Sequence, residues 1–297
     1  MTSSNVKSLK NASAPSPEHI GAGTCRFCAT PLKRTFVDLG AMPPANYYLR
    51  TEDLRRAEPY YPLHAYVCEE CYLVQLEEIQ SPEQLFSEYA YFSSFSKSWL
   101  DHTRAYVNAM IERNDLNSSS SVVEIASNDG YLLQYFKKKR IPVLGIEPAA
   151  NVARAAKARG IPTIVRFFGV DLAKELVENG TQADLLIGNN VLAHVPDIND
   201  FVGGLKILLH PKGVITIEFP HLMRLIKLNQ FDTIYHEHYS YLSFLTVERI
   251  FAHHGLTLVD VEELSTHGGS LRIYARHAGA EVPSSRVIAM RKKEKDA

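Results

Sequence analysis

The chain has 297 residues, of which 45% are hydrophobic and 22% charged, and these proportions are typical of a folded globular protein. The 32 lysines and arginines nearly balance the 33 aspartates and glutamates. The resulting net charge of −1 predicts neither a nucleic-acid-binding surface nor affinity for an anionic membrane. No apolar run approaches the roughly 20 residues of a membrane span, and the first residues lack the apolar core of a secretion signal. We therefore expect a cytoplasmic protein and a monomer.

All four cysteines lie in two Cys-x-x-Cys pairs, Cys25 with Cys28 and Cys68 with Cys71. This spacing lets both thiolates of a pair reach one ion from a tight turn, and two such turns complete a tetrahedral site. Four reduced cysteines without a metal are the alternative, and a redox pair would need a thioredoxin-like context that this segment lacks. The spacing favours a structural Zn²⁺ with no open position for chemistry.

Composition divides the chain into four parts. Residues 1–21 are rich in Ser, Asn, Ala and Pro, and we expect a disordered tail there. Residues 22–80 are predicted to form the zinc-binding module, and a helix that starts at residues 81–83 should lead into a larger domain at 81–277. We expect residues 278–297 to be a C-terminal tail or the start of a further C-terminal domain, and their charged end is most simply a solvated helix.

The larger domain alternates short apolar runs with helical stretches. The predicted strands are 122–126, 143–147, 163–165, 184–188 and 214–218, and the predicted helices are 131–139, 152–159, 171–179, 201–209 and 246–254. Such alternation is typical of a doubly wound parallel α/β sheet. Two further runs, 256–261 and 270–276, are joined by too few residues for a parallel crossover, so they should form an antiparallel hairpin. A parallel sheet closed in this way has the layout of a class I methyltransferase.

The turn after the first of these strands is the first candidate for a ligand site, because open α/β sheets bind ligands beyond the carboxyl ends of their strands. Residues 124–130 read EIASNDG, which lacks the G-x-G-x-x-G of dinucleotide sites and has Ala126 where glycine is commoner. S-adenosylmethionine carries no phosphate and suits such a turn, with Glu124 near its aminoacyl end. Glu147, which ends the second strand, can hold the ribose hydroxyls. The alternative for Glu147 is a solvated residue at a helix start.

Six further motifs lie along the chain, at 88–94 (EYAYFSS), 127–131 (SNDGY), 145–148 (GIEP), 188–197 (GNNVLAHVPD), 231–238 (FDTIYHEH) and 267–270 (HGGS). With the cysteine pairs, they resemble the S-adenosylmethionine-dependent sugar C-methyltransferases of deoxysugar pathways, including the tetronitrose type. The resemblance covers residues 22–277. It implies methylation at C3 of a nucleotide-linked 4-keto-deoxysugar. It also implies a further C-terminal domain, for which residues 290–297 look like the opening of a connecting helix.

The resemblance implies His238 as the catalytic base, with Tyr235 and Glu237 beside it. A base is needed because carbon is methylated only after a proton next to the ketone is removed, and histidine is largely neutral at pH 7. In an extended strand, residues 236 and 238 would face away from 235, 237 and 239, so this assignment requires a bend. A metal site or ordinary loop histidines are the alternatives for His236 and His238.

Other candidate residues follow the predicted strand ends. Asn190 and His194 come after the fourth strand, where they could donate hydrogen bonds to the sugar and to the developing oxyanion. A turn residue and a helix cap are the alternatives for these two. The residues predicted to bind the methyl donor are Tyr89, Glu124, Ala126, Asn128, Gly130, Glu147 and Asn189. Core packing is an equal alternative for Tyr89.

Two other functions compete with sugar C-methylation. One is O- or N-methylation of another small molecule on the same fold. The other is a truncated, non-catalytic protein that binds the cofactor without turnover. The predicted cofactor site is the same for these functions and for sugar C-methylation. Removal of the proton next to the ketone is expected only for C-methylation.

Overall fold

The protein is known from a computed structural model, which describes residues 23–46, 48–86 and 89–297. The predicted tail at 1–21 and Glu88 of the predicted motif at 88–94 lie outside this part of the chain. Within the described ranges, no helix is long and apolar enough to span a membrane.

The strands of the described chain fall into two sheets. They are β1 (Arg34–Met42), β2 (Tyr61–Val67), β3 (Val74–Leu76), β4 (Val122–Ile125), β5 (Val143–Ile146), β6 (Thr163–Ile164), β7 (Ala183–Asn189), β8 (Leu209–Pro220), β9 (Ser240–Tyr241), β10 (Leu256–Leu264) and β11 (Ser270–His277). The α-helices are α1 (Pro82–Phe86), α2 (Lys97–Arg113), α3 (Leu133–Lys138), α4 (Ala150–Ala158), α5 (Val170–Glu178), α6 (Ile198–Leu208), α7 (Leu222–Leu228), α8 (Phe244–His253) and α9 (Ser285–Lys295).

The large sheet has seven strands in the order β10-β11-β8-β7-β4-β5-β6. Its pairs β4–β5, β4–β7, β5–β6 and β7–β8 are parallel, whereas β11 runs antiparallel to both β8 and β10. The predicted doubly wound sheet and its antiparallel hairpin are therefore confirmed. Each helix predicted between these strands is also present, shifted by a few residues at its ends.

The central strand β4 lies between two apolar cores. Val123 and Ile125 belong to a core on one face of the sheet, and Val122 belongs to a second core on the other face. Alternate side chains of a strand point to opposite faces, so a strand covered on both sides is largely apolar, and Glu124 is the polar residue of β4. The second core also contains Tyr106 and Met110 of α2, a helix absent from the sequence predictions.

The small sheet joins the cysteine-containing segment to the larger domain. Its order is β1-β2-β3-β9, and the fourth strand comes from residues far along the chain. β3 pairs with β9 through Val74 opposite Tyr241 and Gln75 opposite Ser240. Cys68 and Cys71 belong to the same apolar core as Phe244 of α8. Residues on both sides of position 80 share one apolar core. The domain boundary at residue 80 therefore stays a prediction.

The helix α9 is packed against the large domain, so the prediction of a simple solvated helix at the end of the chain is wrong. Val287 and Met290 are buried. One turn further, the Glu294 carboxylate accepts hydrogen bonds from His221 Nε2 at 2.6 Å and from the backbone N–H of Phe244 at 2.6 Å. A carboxylate at the first turn of α8 satisfies backbone donors that have no partner within the helix.

Candidate active site and zinc centre

The two cysteine pairs form turns of matching geometry. The backbone N–H of Ala29 donates to the Cys25 carbonyl at 2.8 Å, and the N–H of Tyr72 donates to the Cys68 carbonyl at 3.0 Å. Ala29 and Tyr72 both have left-handed backbones, with φ of 58° and 63°. Each turn thus presents two sulfurs on the same side, as a metal knuckle requires.

The four sulfurs meet in one cluster. Their Sγ atoms all lie within 4.8 Å of one another, with 3.5 Å between Cys25 and Cys71 and 3.5 Å between Cys28 and Cys68. A tetrahedral zinc site with Zn–S bonds of about 2.3 Å needs sulfurs separated by about 3.8 Å. The cluster therefore fits Zn²⁺ with four thiolate ligands. The Gln75 side-chain N–H donates to Cys25 Sγ at 3.2 Å, and such hydrogen bonds to the ligands are common around metal sites.

A cleft of about 840 Å³ opens beyond the carboxyl ends of β4, β5 and β7. The turn after β4 forms one of its walls, and Ala126, Asn128 and Gly130 there have φ of 55°, 50° and 75°. Left-handed backbone at a non-glycine residue costs about 1–2 kcal/mol, and such strain is typical of ligand sites. At Gly130 a Cβ would lie 2.9 Å from Ile161 Cγ1, so this position also requires glycine for space.

Hydrogen bonds from two other segments hold this turn in place. Asn128 Oδ1 accepts from the N–H of Ser93 at 3.0 Å, and Asn128 Nδ2 donates to the Tyr91 carbonyl at 3.0 Å. Glu147 Oε2 accepts from the Asn128 N–H at 2.8 Å, and its Oε1 accepts from the Ala149 N–H at 2.9 Å. Burial raises the pKa of Glu147, and these two backbone donors oppose the shift. Glu147 therefore holds the turn after β4 in place and also lines the cleft.

The structure places most of the predicted donor-binding residues on the cleft wall. The residues found there are Tyr89, Ala126, Asn128, Glu147 and Asn189. Gly130 and Glu124 do not line the cleft. Glu124 is 0% exposed, so its carboxyl group is sealed away from the cleft. Burial raises its pKa well above the ordinary range, which favours the neutral acid.

The predicted base lies on a turn, which supplies the bend that its assignment requires. The N–H of His238 donates to the Tyr235 carbonyl at 2.9 Å. Tyr235, His238 and His194 line the cleft together with Asn190, whereas His236 and Glu237 do not. His236 is 7% exposed and its Nε2 bonds to the Pro62 carbonyl at 3.1 Å.

Hydrogen bonds fix the tautomers of the two cleft histidines. His238 Nδ1 lies 2.8 Å from the Thr233 carbonyl, and His194 Nδ1 lies 2.8 Å from the Glu237 carbonyl. A carbonyl only accepts, so each Nδ1 carries the proton and each Nε2 has a lone pair. His238 Nε2 accepts from the Tyr235 hydroxyl at 2.9 Å. In this tautomer His194 Nε2 is an acceptor, so the predicted donation to an oxyanion would require the other tautomer.

Burial keeps both rings neutral. It lowers the pKa of His238 to about 3, with a smaller contribution from His194, and lowers the pKa of His194 to about 4. The ring centroids are 4.7 Å apart, so a charge on one ring would oppose a charge on the other. Burial and the nearby Glu237 carboxylate raise the pKa of the Tyr235 phenol. The phenol therefore stays protonated at neutral pH.

A second group of cleft residues was not predicted. Trp99 stacks on His102 with ring centroids 4.9 Å apart and meets the edge of His267 at 5.3 Å. Behind them the buried carboxylate of Glu218 bonds to His102 Nε2 at 3.1 Å and to Arg272 Nη2 at 3.0 Å. His267 belongs to the motif at 267–270, for which the sequence predicted no role in the site. Trp99 and His102 lie on α2, whose spacing of buried residues at 103, 106, 107 and 110 was a detectable helical signal.

Comparison with known proteins gives two family matches and several relatives. Residues 25–86 match a family described as "Putative zinc binding domain". Residues 99–261, more than half of the chain, match the family described as "Methyltransferase domain". The fold is also that of the PH0226 protein from Pyrococcus horikoshii OT3, with a TM-score of 0.51 and 15% identity over 67% of this chain and 99% of that one.

Two curated relatives are similar in sequence. C-methyltransferase NovU of Streptomyces niveus is 37% identical over 257 residues, which are 86% of this chain and 61% of NovU. Ubiquinone biosynthesis O-methyltransferase of Rhodopseudomonas palustris (strain BisA53) is 23% identical over 152 residues, 44% of this chain and 60% of that protein. The chain spans about three-fifths of the length of these relatives. The fold, the cleft and the family match agree, and the chain belongs to the methyltransferase domain family, with a zinc-binding module before its methyltransferase fold.

Proposed function

We propose that this protein is an S-adenosylmethionine-dependent C-methyltransferase that acts at C3 of a nucleotide-linked 4-keto-deoxysugar, within deoxysugar biosynthesis. The observation that carries the proposal is the neutral His238, whose Nε2 lone pair lies at the cleft beside the Tyr235 phenol. Carbon methylation needs such a base to make the carbon nucleophilic, whereas a hydroxyl oxygen or an amine nitrogen already has a lone pair and depends on a base less. The 37% identity to a protein named C-methyltransferase supports the same reaction.

The residues at the strand ends suit the methyl donor. Asn189 lines the cleft at the carboxyl end of β7, where it would contact the donor. Glu147 would accept from the ribose, and Tyr89 would lie against the donor. Bound S-adenosylmethionine supplies a methyl group on a positively charged sulfur.

Residues 235–239, here called the base segment, would then act on the sugar. His238 Nε2 takes the proton from the carbon next to the ketone, which leaves an enolate with its charge on oxygen. In the free protein the Tyr235 phenol bonds to the same lone pair at 2.9 Å, so proton removal requires the phenol to turn to another acceptor. The enolate oxygen is such an acceptor, and the protonated phenol stabilises the charge that develops there. Asn190, on the same wall, would donate its amide N–H to the sugar.

Deuterium exchange distinguishes this reaction from the alternatives. The enzyme is mixed with a keto-sugar nucleotide deuterated next to the ketone, together with S-adenosylhomocysteine in place of the donor. Loss of deuterium to water supports the carbon-acid mechanism. Methyl transfer to a hydroxyl or an amine without exchange would indicate an O- or N-methyltransferase. Binding of S-adenosylhomocysteine without exchange or transfer over a panel of keto-sugar nucleotides would indicate a non-catalytic protein.

The role of Glu147 is testable separately. Glu147→Gln keeps the size of the side chain but replaces one carboxylate oxygen by a donor, so it should weaken S-adenosylhomocysteine binding by about ten- to hundred-fold. Isothermal titration calorimetry measures this change. Glu281→Gln, at an exposed carboxylate paired with Arg276 away from the cleft, is the control and should bind as the wild type does. Unchanged affinity in Glu147→Gln would remove the ribose contact from the proposal.

The pH dependence of the rate should reflect the burial of the base. If the base were an exposed histidine with a pKa near 6.5, the rate would rise with pH around 6.5. Burial lowers the pKa of His238 to about 3, so the ring is already unprotonated in mild acid. We expect kcat/KM to be nearly constant between about pH 5.5 and pH 8 as far as this base is concerned. A steady-state pH profile tests this, and a rise centred near 6.5 would contradict it.

A further inference from the structure

The zinc-binding module contacts the base segment at several points. Besides the pairing of β3 with β9, the N–H of Leu76 donates to the Tyr239 carbonyl at 3.0 Å, and the Tyr239 hydroxyl donates to the Gln80 carbonyl at 2.9 Å. His236 Nε2 bonds to the Pro62 carbonyl on the other side of the segment. The backbone that carries His238 is therefore held by residues of the module rather than only by its own domain.

A further contact joins the zinc-binding module to the carboxylate of Glu237, next to the cleft. Asn46, in the segment that follows β1, donates from Nδ2 to Glu237 Oε1 at 2.6 Å. Glu237 is 3% exposed, and its Oε2 has no hydrogen-bond partner in the described part of the chain. A buried carboxylate needs donors to remain charged and fixed in position, and Asn46 supplies the one that the structure shows.

Glu237 in turn holds a cleft histidine through its backbone. Its carbonyl accepts from His194 Nδ1 at 2.8 Å, and the His194 ring lies 4.7 Å from the His238 ring. A shift of Glu237 would therefore move both the carboxylate and the ring that packs against the base. We propose that Asn46 is a positioning residue for the cleft histidines, which it holds by anchoring Glu237 from the zinc-binding module.

Electrostatics around Glu237 give the anchor a second effect. Burial raises the pKa of the phenols of Tyr89, Tyr235 and Tyr239, and the nearby Glu237 carboxylate adds to the rise in each. Burial raises the pKa of Glu237 itself, whereas the hydrogen bond from Asn46 lowers it. Loss of Asn46 should therefore make Glu237 titrate at a higher pH, and its charge would reach Tyr235 less well in mild acid.

The inference rests on the proposed function, and it is tested with two variants in the full chain. Asn46→Ala removes the donor, and Asn46→Asp keeps the size of the side chain but sets a carboxylate against Glu237. Both should lower kcat for the keto-sugar by about ten- to hundred-fold, the scale of a hydrogen bond to a charged group. Zinc content and affinity for S-adenosylhomocysteine should stay at the wild-type level. The control is Arg56→Ala, which breaks an exposed ion pair with Asp53 in the same module.

A readout without substrate separates this inference from the proposed reaction. In protein with ¹³C-labelled glutamate, the Glu237 carboxyl signal is assigned by its loss in Glu237→Gln and is titrated by NMR. We expect it to titrate at higher pH in Asn46→Ala than in the wild type, whether or not any sugar is methylated. In the Glu237→Gln background, Asn46→Ala should have little further effect on kcat. An unchanged Glu237 titration, or wild-type kcat in both folded Asn46 variants, would overturn the inference.

Discussion

Replacing His238 with asparagine should lower kcat by about 10²–10⁴-fold, the contribution expected of a general base. Asparagine fills a similar space, so the cleft should still bind S-adenosylhomocysteine with nearly wild-type affinity. Proton exchange next to the ketone should fall together with methyl transfer, because both depend on the same Nε2 lone pair. The measurements are single-turnover methyl transfer, deuterium exchange and calorimetry with S-adenosylhomocysteine.

His236→Asn is the matched control. His236 lies two residues away but turns from the cleft toward the Pro62 carbonyl, so its loss should affect kcat less than the loss of His238. If His236→Asn abolished exchange and His238→Asn were nearly normal, the base would be placed on the wrong residue. If neither variant lost exchange, the segment would be structural and the carbon-acid mechanism would lose its main support.

Replacing Cys68 with serine should remove the metal and unfold the zinc-binding module. Structural zinc sites bind with apparent free energies of about 10–16 kcal/mol at neutral pH, and much of that is folding free energy. Cys68 is buried in the core shared with α8, so the damage should extend beyond the four sulfurs. Because β3 pairs with β9 next to the base segment, methyl transfer should be lost as well.

Metal analysis, circular dichroism and the activity of the wild type after chelation test this expectation. Restoring activity by adding Zn²⁺ to the chelated wild type, but not to Cys68→Ser, would support it. Arg56→Ala, which breaks an ion pair with Asp53 in the same module, changes no ligand and should keep its zinc. Purified protein with no zinc, or with iron instead, would contradict the assignment of the metal.

Local chemistry determined several features, and these were readable without coordinates. Two residues between cysteines fix the reach of two sulfurs on one turn, so the spacing was sufficient to predict the cluster that the structure shows. Strands buried on both faces are largely apolar, so the alternation of apolar runs with helices predicted a mostly parallel sheet with helices between its strands. Loops at strand ends then indicated where Asn189, Asn190 and Glu147 would lie.

Features set by contacts between distant residues were decided only by the tertiary structure. Glu147 accepts two backbone donors, Glu124 is sealed away from the cleft, and α9 docks through Glu294, although the sequence around each suggested a simpler role. The tautomers and low pKa values of the cleft histidines follow from burial and from carbonyls that local sequence does not specify. Asn46 meets Glu237 across 191 positions of the chain. Local patterns encode backbone propensity and which face is buried, whereas hydrogen-bond partners and desolvation depend on which distant segments pack together.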